Sequence, residues 1–271
     1  MPELPEVETT VAGLRPFLEG QRITRVTLRR ADLRRPFSVD LVQRITGAEV
    51  TSLSRRAKYG LILTDRDDSL IFHLGMSGRW RVNPADEDRH DHLLLETARG
   101  DVLALNDPRR FGSVDLVAGD AAILFAPFLT LGPEPLSDAF SPAMLHKRLA
   151  GKGVAIKLAL LDQRVVAGLG NIYVCEALFM AGIAPRTPAG KVSRARLERL
   201  VPAIKQVLVA AIAAGGSTLR DFARPDGELG YFAKEWLVYG REGEPCRTCG
   251  TLIARQVDGG RSTFFCPKCQ K

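Results

Sequence analysis

The chain has 271 residues, 45% of them hydrophobic and 25% charged, enough for one large globular domain or two moderate ones. Its 38 Lys and Arg outweigh 31 Asp and Glu, and the formal charge of +7 with a pI of about 9.4 points to a polyanionic partner. No apolar run approaches the roughly 18 residues of a membrane span. The acidic opening MPELPEVETT lacks the basic-then-apolar build of a secretory leader, so a cytoplasmic protein with no membrane role is expected.

In chain order, residues 4 to 18 predict a helix. Val7, Val11, Leu14 and Leu18 fall on one stripe, Pro5 suits the first turn, and Glu6 and Glu8 suit the positive end of the helix dipole. Such a helix can hold residues 2 and 3 in a fixed place, which frayed termini rarely offer. Between Arg29 and Lys58 eight Lys or Arg stand against three acids, a local excess of positive charge. From about residue 23 to 117 the texture is of short strands. Thr24, Val26 and Leu28 alternate with polar residues, and Leu61–Leu63, Leu70–Phe72 and Leu93–Leu95 are short apolar runs between turns. This pattern predicts a β-sandwich or flattened barrel with the opening helix packed against it. Four prolines between Pro127 and Pro142 read as a linker. Beyond it, a helix is predicted from Asn171, after the turn Gly168-Leu169-Gly170, and a longer amphipathic one over Leu197, Leu200, Val201, Ile204, Val207, Leu208 and Ala211. The Gly-, Ser-, Arg- and Asp-rich stretch from Gly215 to Tyr231 is expected to be a mobile loop.

The last thirty or so residues form a separate unit. Cys246-x2-Cys249 and Cys266-x2-Cys269, with sixteen residues between the pairs, match a four-thiolate zinc site. Two disulfides, or a redox pair, are the weaker alternatives in a cytoplasmic chain. Four protein ligands leave the ion no open position, so one structural Zn2+ is expected, and it lets a segment too short for its own core fold. The hairpin module carries Arg247, Arg255, Arg261 and Lys268. Cys175, alone in an apolar stretch, reads as a buried small hydrophobe.

At the other end, the small second residue predicts removal of Met1, which would bare a secondary amine on Pro2. An α-amino group with a pKa near 7.7 to 8 is about a quarter to a third neutral at pH 7.5, far more than a lysine. Its adduct with a carbonyl carbon is an iminium that stays cationic without a proton. At a sugar C1′ this would acidify the C2′ hydrogen and open a route to elimination. Glu3 beside it suits an acid or base. Taken alone, the pair reads more readily as a helix start and its cap.

The opening MPELPEVET and the terminal cysteine hairpin together resemble the formamidopyrimidine-DNA glycosylase family over essentially the whole length. Arg55–Tyr59 (RRAKY), His73–Gly78 (HLGMSG), Asp107–Gly112 (DPRRFG), Leu169–Tyr173 (LGNIY), Thr218–Phe222 (TLRDF) and Tyr239–Arg241 (YGR) extend the match in order. The resemblance implies a two-domain α+β protein: an N-terminal β-sandwich over 1–127, a linker over 128–142, a helix–two-turn–helix domain over 143–235 and a zinc finger over 236–271. Residues 216–232 would contain the loop that closes over an extruded purine. It further implies a monomer that binds double-stranded DNA with damaged bases, excises oxidised purines and cuts the strand by β,δ-elimination. Pro2 would attack C1′, Glu3 would serve as acid and base, and Lys58 and Arg261 would meet the charge of departing phosphates. Met76, Arg109 and Phe111 would fill the hole left by the flipped base. Core packing is the competing reading for Met76 and Phe111, and the neighbouring Gly75, Gly78 and Gly112 weaken it by pointing to turns. His90 and Asn171 would contact DNA, as would Lys152 or Lys157, between which the sequence does not choose. A non-catalytic zinc-finger DNA binder, the sister endonuclease VIII branch with oxidised-pyrimidine preference, and a structural zinc protein with a basic surface are the competing readings of the whole chain.

Overall fold

The structure, a computed structural model, describes residues 1–217, 225 and 230–271. They gather into two compact units, one of residues 1–129 with 214–233 and one of residues 130–213 with 234–271.

The first unit opens with α1 (Leu4–Leu18), whose Val7, Val11, Leu14 and Leu18 are fully buried, as their spacing requires. Two four-stranded antiparallel sheets follow. One runs in the order β1 (Ile23–Leu28), β6 (Asp91–Thr97), β7 (Val102–Asn106), β5 (Arg79–Val82). The other runs β2 (Val50–Arg56), β3 (Tyr59–Thr64), β4 (Asp68–His73), β8 (Ser113–Ala118). The expected sandwich is therefore present, with the helical stripe as part of its core. Phe72 from one sheet and Trp80 from the other meet edge to face at 5.6 Å inside it, among Leu53, Ile62, Leu93 and Leu95. Three short helices, α2 (Leu41–Ile45), α3 (Ala121–Leu124) and α4 (Ala126–Leu129), complete the unit.

The second unit is helical: α5 (Pro142–Leu149), α6 (Ile156–Leu161), α7 (Asn171–Met180) and α8 (Arg194–Ala213). Its β9 (Ala254–Asp258) and β10 (Arg261–Phe265) form the terminal hairpin. Asp258 pairs with Arg261 across Gly259 and Gly260, both at positive φ (57° and 73°). That left-handed pair makes the tight turn that places Arg261 at the hairpin tip. The buried Glu176 of α7 accepts N–H bonds from Leu237, Val238 and Tyr239 at 2.8, 3.0 and 2.8 Å, fixing the chain that leads into the hairpin. Among the described residues no helix is long and apolar enough to cross a membrane.

Candidate active site and nucleic-acid interface

The N-terminus is anchored in the first unit. Pro2 and Glu3 are buried, while Met1 is half exposed. Glu3 caps α1 in a capping box with Glu6, whose carboxylate accepts the Glu3 N–H at 2.8 Å. The other Glu6 oxygen accepts the N–H of Ser217 at 2.8 Å, so one buried carboxylate joins the chain start to the segment that leads into residue 218. Apart from its Gly216, Ser217, Pro225 and Gly230–Phe232 positions, the expected lesion-closing loop lies outside the described residues, as does Thr218–Phe222.

Lys58 sits with Ala57 in the two-residue turn joining β2 and β3, where Arg56 pairs with Tyr59. Ala57 holds a left-handed φ of 53°. The turn is secured to α1 through Arg55, whose guanidinium bonds the Glu8 carboxylate (2.7 Å) and the Ala57 carbonyl (2.9 Å). Lys58 is 6% exposed.

His73, which sequence reasoning passed over, belongs to this cluster. It ends β4 opposite Tyr59, the two rings 4.9 Å apart, and its Nδ1 accepts the N–H of Gly75 at 3.0 Å. Burial first, then the charges of Lys58, Arg34 and Arg35, push its pKa down to about 4. A neutral imidazole whose Nδ1 is an acceptor carries its proton on Nε2, a donor set amid cations. That combination suits an anion. The wider basic stretch is less bare than its composition implies. Arg29, Arg30, Arg35, Arg44 and Arg55 are ion-paired with Glu87, Asp32, Asp115, Asp68 and Glu8.

Met76, Arg109 and Phe111 all stand exposed on turns, Met76 at 38% and Phe111 at 45%. The core-packing alternative for the two apolar side chains is thereby removed. Gly75 (φ 62°) sits where a Cβ would lie 2.3 Å from the Phe111 carbonyl carbon, so the two turns touch backbone to backbone. The Arg109 guanidinium lies 4.8 Å from the centre of the Phe111 ring. His90 is half-buried on the Asp88–Asp91 turn, its N–H bound to Asp88 and its Nε2 accepting from Arg89.

In the second unit, Asn171 begins α7 and donates to the Ser262 carbonyl at 2.8 Å. The two candidate lysines separate cleanly. Lys152 is exposed, whereas Lys157 is wholly buried and gives its ammonium to the Ser262 carbonyl (3.2 Å) and Thr263 Oγ1 (2.7 Å). Desolvation lowers the Lys157 pKa. Its partners make it a buttress of β10, so of the two lysines it is Lys152 whose side chain stands in solvent. Arg261 is exposed beside that buttress.

The four cysteine sulfurs of the terminal module lie within 4.8 Å of one another, Cys246 and Cys269 at 4.0 Å and Cys249 and Cys266 at 3.5 Å. A tetrahedral ion with arms of about 2.3 Å sets its sulfurs roughly 3.8 Å apart. The set fits zinc, with no position left for water or substrate. Cys175 is buried against this module, as an apolar residue would be.

Comparison with known proteins agrees along the chain. The family model for the formamidopyrimidine-DNA glycosylase N-terminal domain matches residues 1–114, that for its H2TH domain residues 131–223, and that for the zinc finger found in FPG and IleRS residues 243–271. A formamidopyrimidine-DNA glycosylase from Rhizorhabdus wittichii is 69% identical, with all of both chains covered. The crystal structure of the MutM (Fpg) protein from Thermus thermophilus aligns with a TM-score of 0.90 at 39% identity, over 99% of this chain and 98% of that one. A Lactococcus lactis Fpg mutant bound to Fapy-dG-containing DNA aligns with a TM-score of 0.92 at 34% identity, over 100% of both chains.

Proposed function

The chain belongs to the formamidopyrimidine-DNA glycosylase family, a family acting on damaged bases in DNA, and on that premise we propose that it excises oxidised purines and then cuts the strand, with the Pro2 amine as nucleophile. The observation that carries this reading is the buried, capped chain start. Pro2 and Glu3 are held at the head of α1 by a carboxylate that also grips the entry to the loop.

In this mechanism Met1 is removed and the Pro2 nitrogen attacks C1′ of an extruded nucleotide. The N–C1′ bond forms as the glycosidic bond breaks, and the base leaves protonated. Glu3 protonates the departing base, takes the proton from the Pro2 nitrogen and returns it to the ring oxygen, so that the sugar opens to an iminium at C1′. Loss of the C2′ proton expels the 3′ phosphate, and a second elimination expels the 5′ phosphate. Lys58, in the cationic turn with His73 behind it, meets one phosphate, and Arg261 at the hairpin tip meets the other. Met76, Arg109 and Phe111 occupy the vacated stack, with Arg109 hydrogen-bonding the orphaned base. Lys152, His90 and Asn171 contact the DNA backbone. The zinc held by Cys246, Cys249, Cys266 and Cys269 supplies folding free energy to the module that presents Arg261, and takes no part in bond making. The protein works as a monomer on double-stranded DNA.

The test compares duplexes bearing 8-oxoguanine and thymine glycol. Faster release of the oxidised purine, with products phosphorylated at both ends of the gap, is expected. Preference for thymine glycol would move the chain to the sister branch, and binding without cleavage would make it a non-catalytic binder.

A further inference from the structure

The three exposed side chains that would enter the base stack come from two separate turns, and such a wedge works only if the turns keep a fixed spacing. The residue between them is Asp107. It has no solvent exposure. One carboxylate oxygen accepts the Ser77 hydroxyl at 2.7 Å, and the other accepts the Gly112 N–H at 2.8 Å. Ser77 Oγ in turn accepts the Arg109 N–H at 3.2 Å. The chain of bonds therefore runs from Arg109 through Ser77, the residue after Met76, to Asp107, and on to Gly112, the residue after Phe111. Each intruding side chain is on, or next to, a residue whose backbone or hydroxyl is tied to this one group. Asp107 is itself fixed: its N–H donates to the His90 carbonyl (3.0 Å), and its carbonyl accepts from His92 Nε2 at 3.0 Å. Desolvation lowers the His92 pKa and keeps that ring neutral.

A fully buried carboxylate persists only where its hydrogen bonds offset the lost hydration, and here those bonds are spent on two turns whose side chains face outward. The geometry points to Asp107 and Ser77 as positioning residues: we propose that they set the spacing of Met76, Arg109 and Phe111 and so govern discrimination between a damaged and an already missing base. This rests on the void-filling role given to those three side chains above. Neither residue need touch the sugar or the base.

The experiment uses the full-length, zinc-loaded protein and the variants Ser77→Ala, Asp107→Asn and Ser77→Thr. Activity is measured on an 8-oxoguanine duplex and on a preformed abasic duplex, and fluorescence of 2-aminopurine beside the lesion reports unstacking. For Ser77→Ala a fall of about tenfold in kcat/KM on the damaged base is expected, the rate equivalent of one hydrogen bond to a charged group. Turnover of the abasic duplex should stay within about twofold, and the fluorescence rise should shrink. Asp107→Asn should follow the same pattern, and Ser77→Thr, which keeps the hydroxyl, should retain wild-type discrimination. Equal loss on both substrates in whichever of the first two variants remains folded, or loss on neither, overturns the proposal. Phe111→Ala run alongside separates the two failures. If it too loses both activities equally, the void-filling role falls. If it alone is selective, only the positioning role falls.

Discussion

His73 is a histidine that stays neutral where most would titrate. Its depressed pKa makes the folded state the poorer proton acceptor, so stability is lost as pH falls. The unfolded chain takes up a proton below about 6.5, while the native ring resists until about 4. This single group is worth up to about 3 kcal/mol across that window. Thermal melts between pH 7 and 4 should show a slope that His73→Gln reduces, and an unchanged slope would contradict the environment described. Lys58→Ala should fold normally and slow the abasic-site reaction by about a hundredfold or more, because the phosphate charge loses its partner. Single-turnover kinetics check this, and a change in binding alone would count against it. Neither the environment of His73 nor the burial of Lys157 was legible in the sequence. His73 stands in the HLGMSG block beside Met76, but a wedge is recognisable by residue type and a neutral imidazole is not. Lys157 shows the converse, since a lysine beside Ala155 and Ile156 carries no mark of facing inward.

Among elements, the long periodic ones were legible and the short ones were not. α1 and α8 could be read from their apolar stripes, and four of the sandwich strands from alternation or apolar runs, because burial on one side imposes those patterns. α2, α3 and α4, of four or five residues each, are too short for a periodicity to develop. The stretch read as a linker begins within α4 for the same reason. The touching turns carry a sharp prediction. Gly75→Ala forces a side chain into a left-handed φ and onto the Phe111 backbone, at about 2 kcal/mol or more, readable in a denaturant melt. The β9–β10 hairpin carries another. Lys157→Met removes the ammonium holding Ser262 and Thr263, and should raise the share of β-elimination product over β,δ product as Arg261 loses its support. An unchanged product ratio on a sequencing gel would show that the hairpin positions Arg261 without it.

For the molecule as a whole, four cysteines and a charge excess were enough to foresee a zinc module and a polyanionic partner. The assignment of residues 214–233 to the first unit was not foreseeable, because it depends on contacts such as Ser217 with Glu6 that are distant in sequence. Cys249→Ser should unfold the terminal hairpin and abolish tight DNA binding, and zinc release with affinity retained would refute that link. Affinity for DNA should fall steeply with salt. The most direct measurement is borohydride trapping of the protein on abasic DNA, followed by peptide mapping of the adduct. The expected product is a protein lacking Met1 that carries a single reduced adduct on the nitrogen of Pro2. An adduct on a lysine, or undiminished trapping by a chain whose terminus is extended or blocked, would contradict the proposed chemistry.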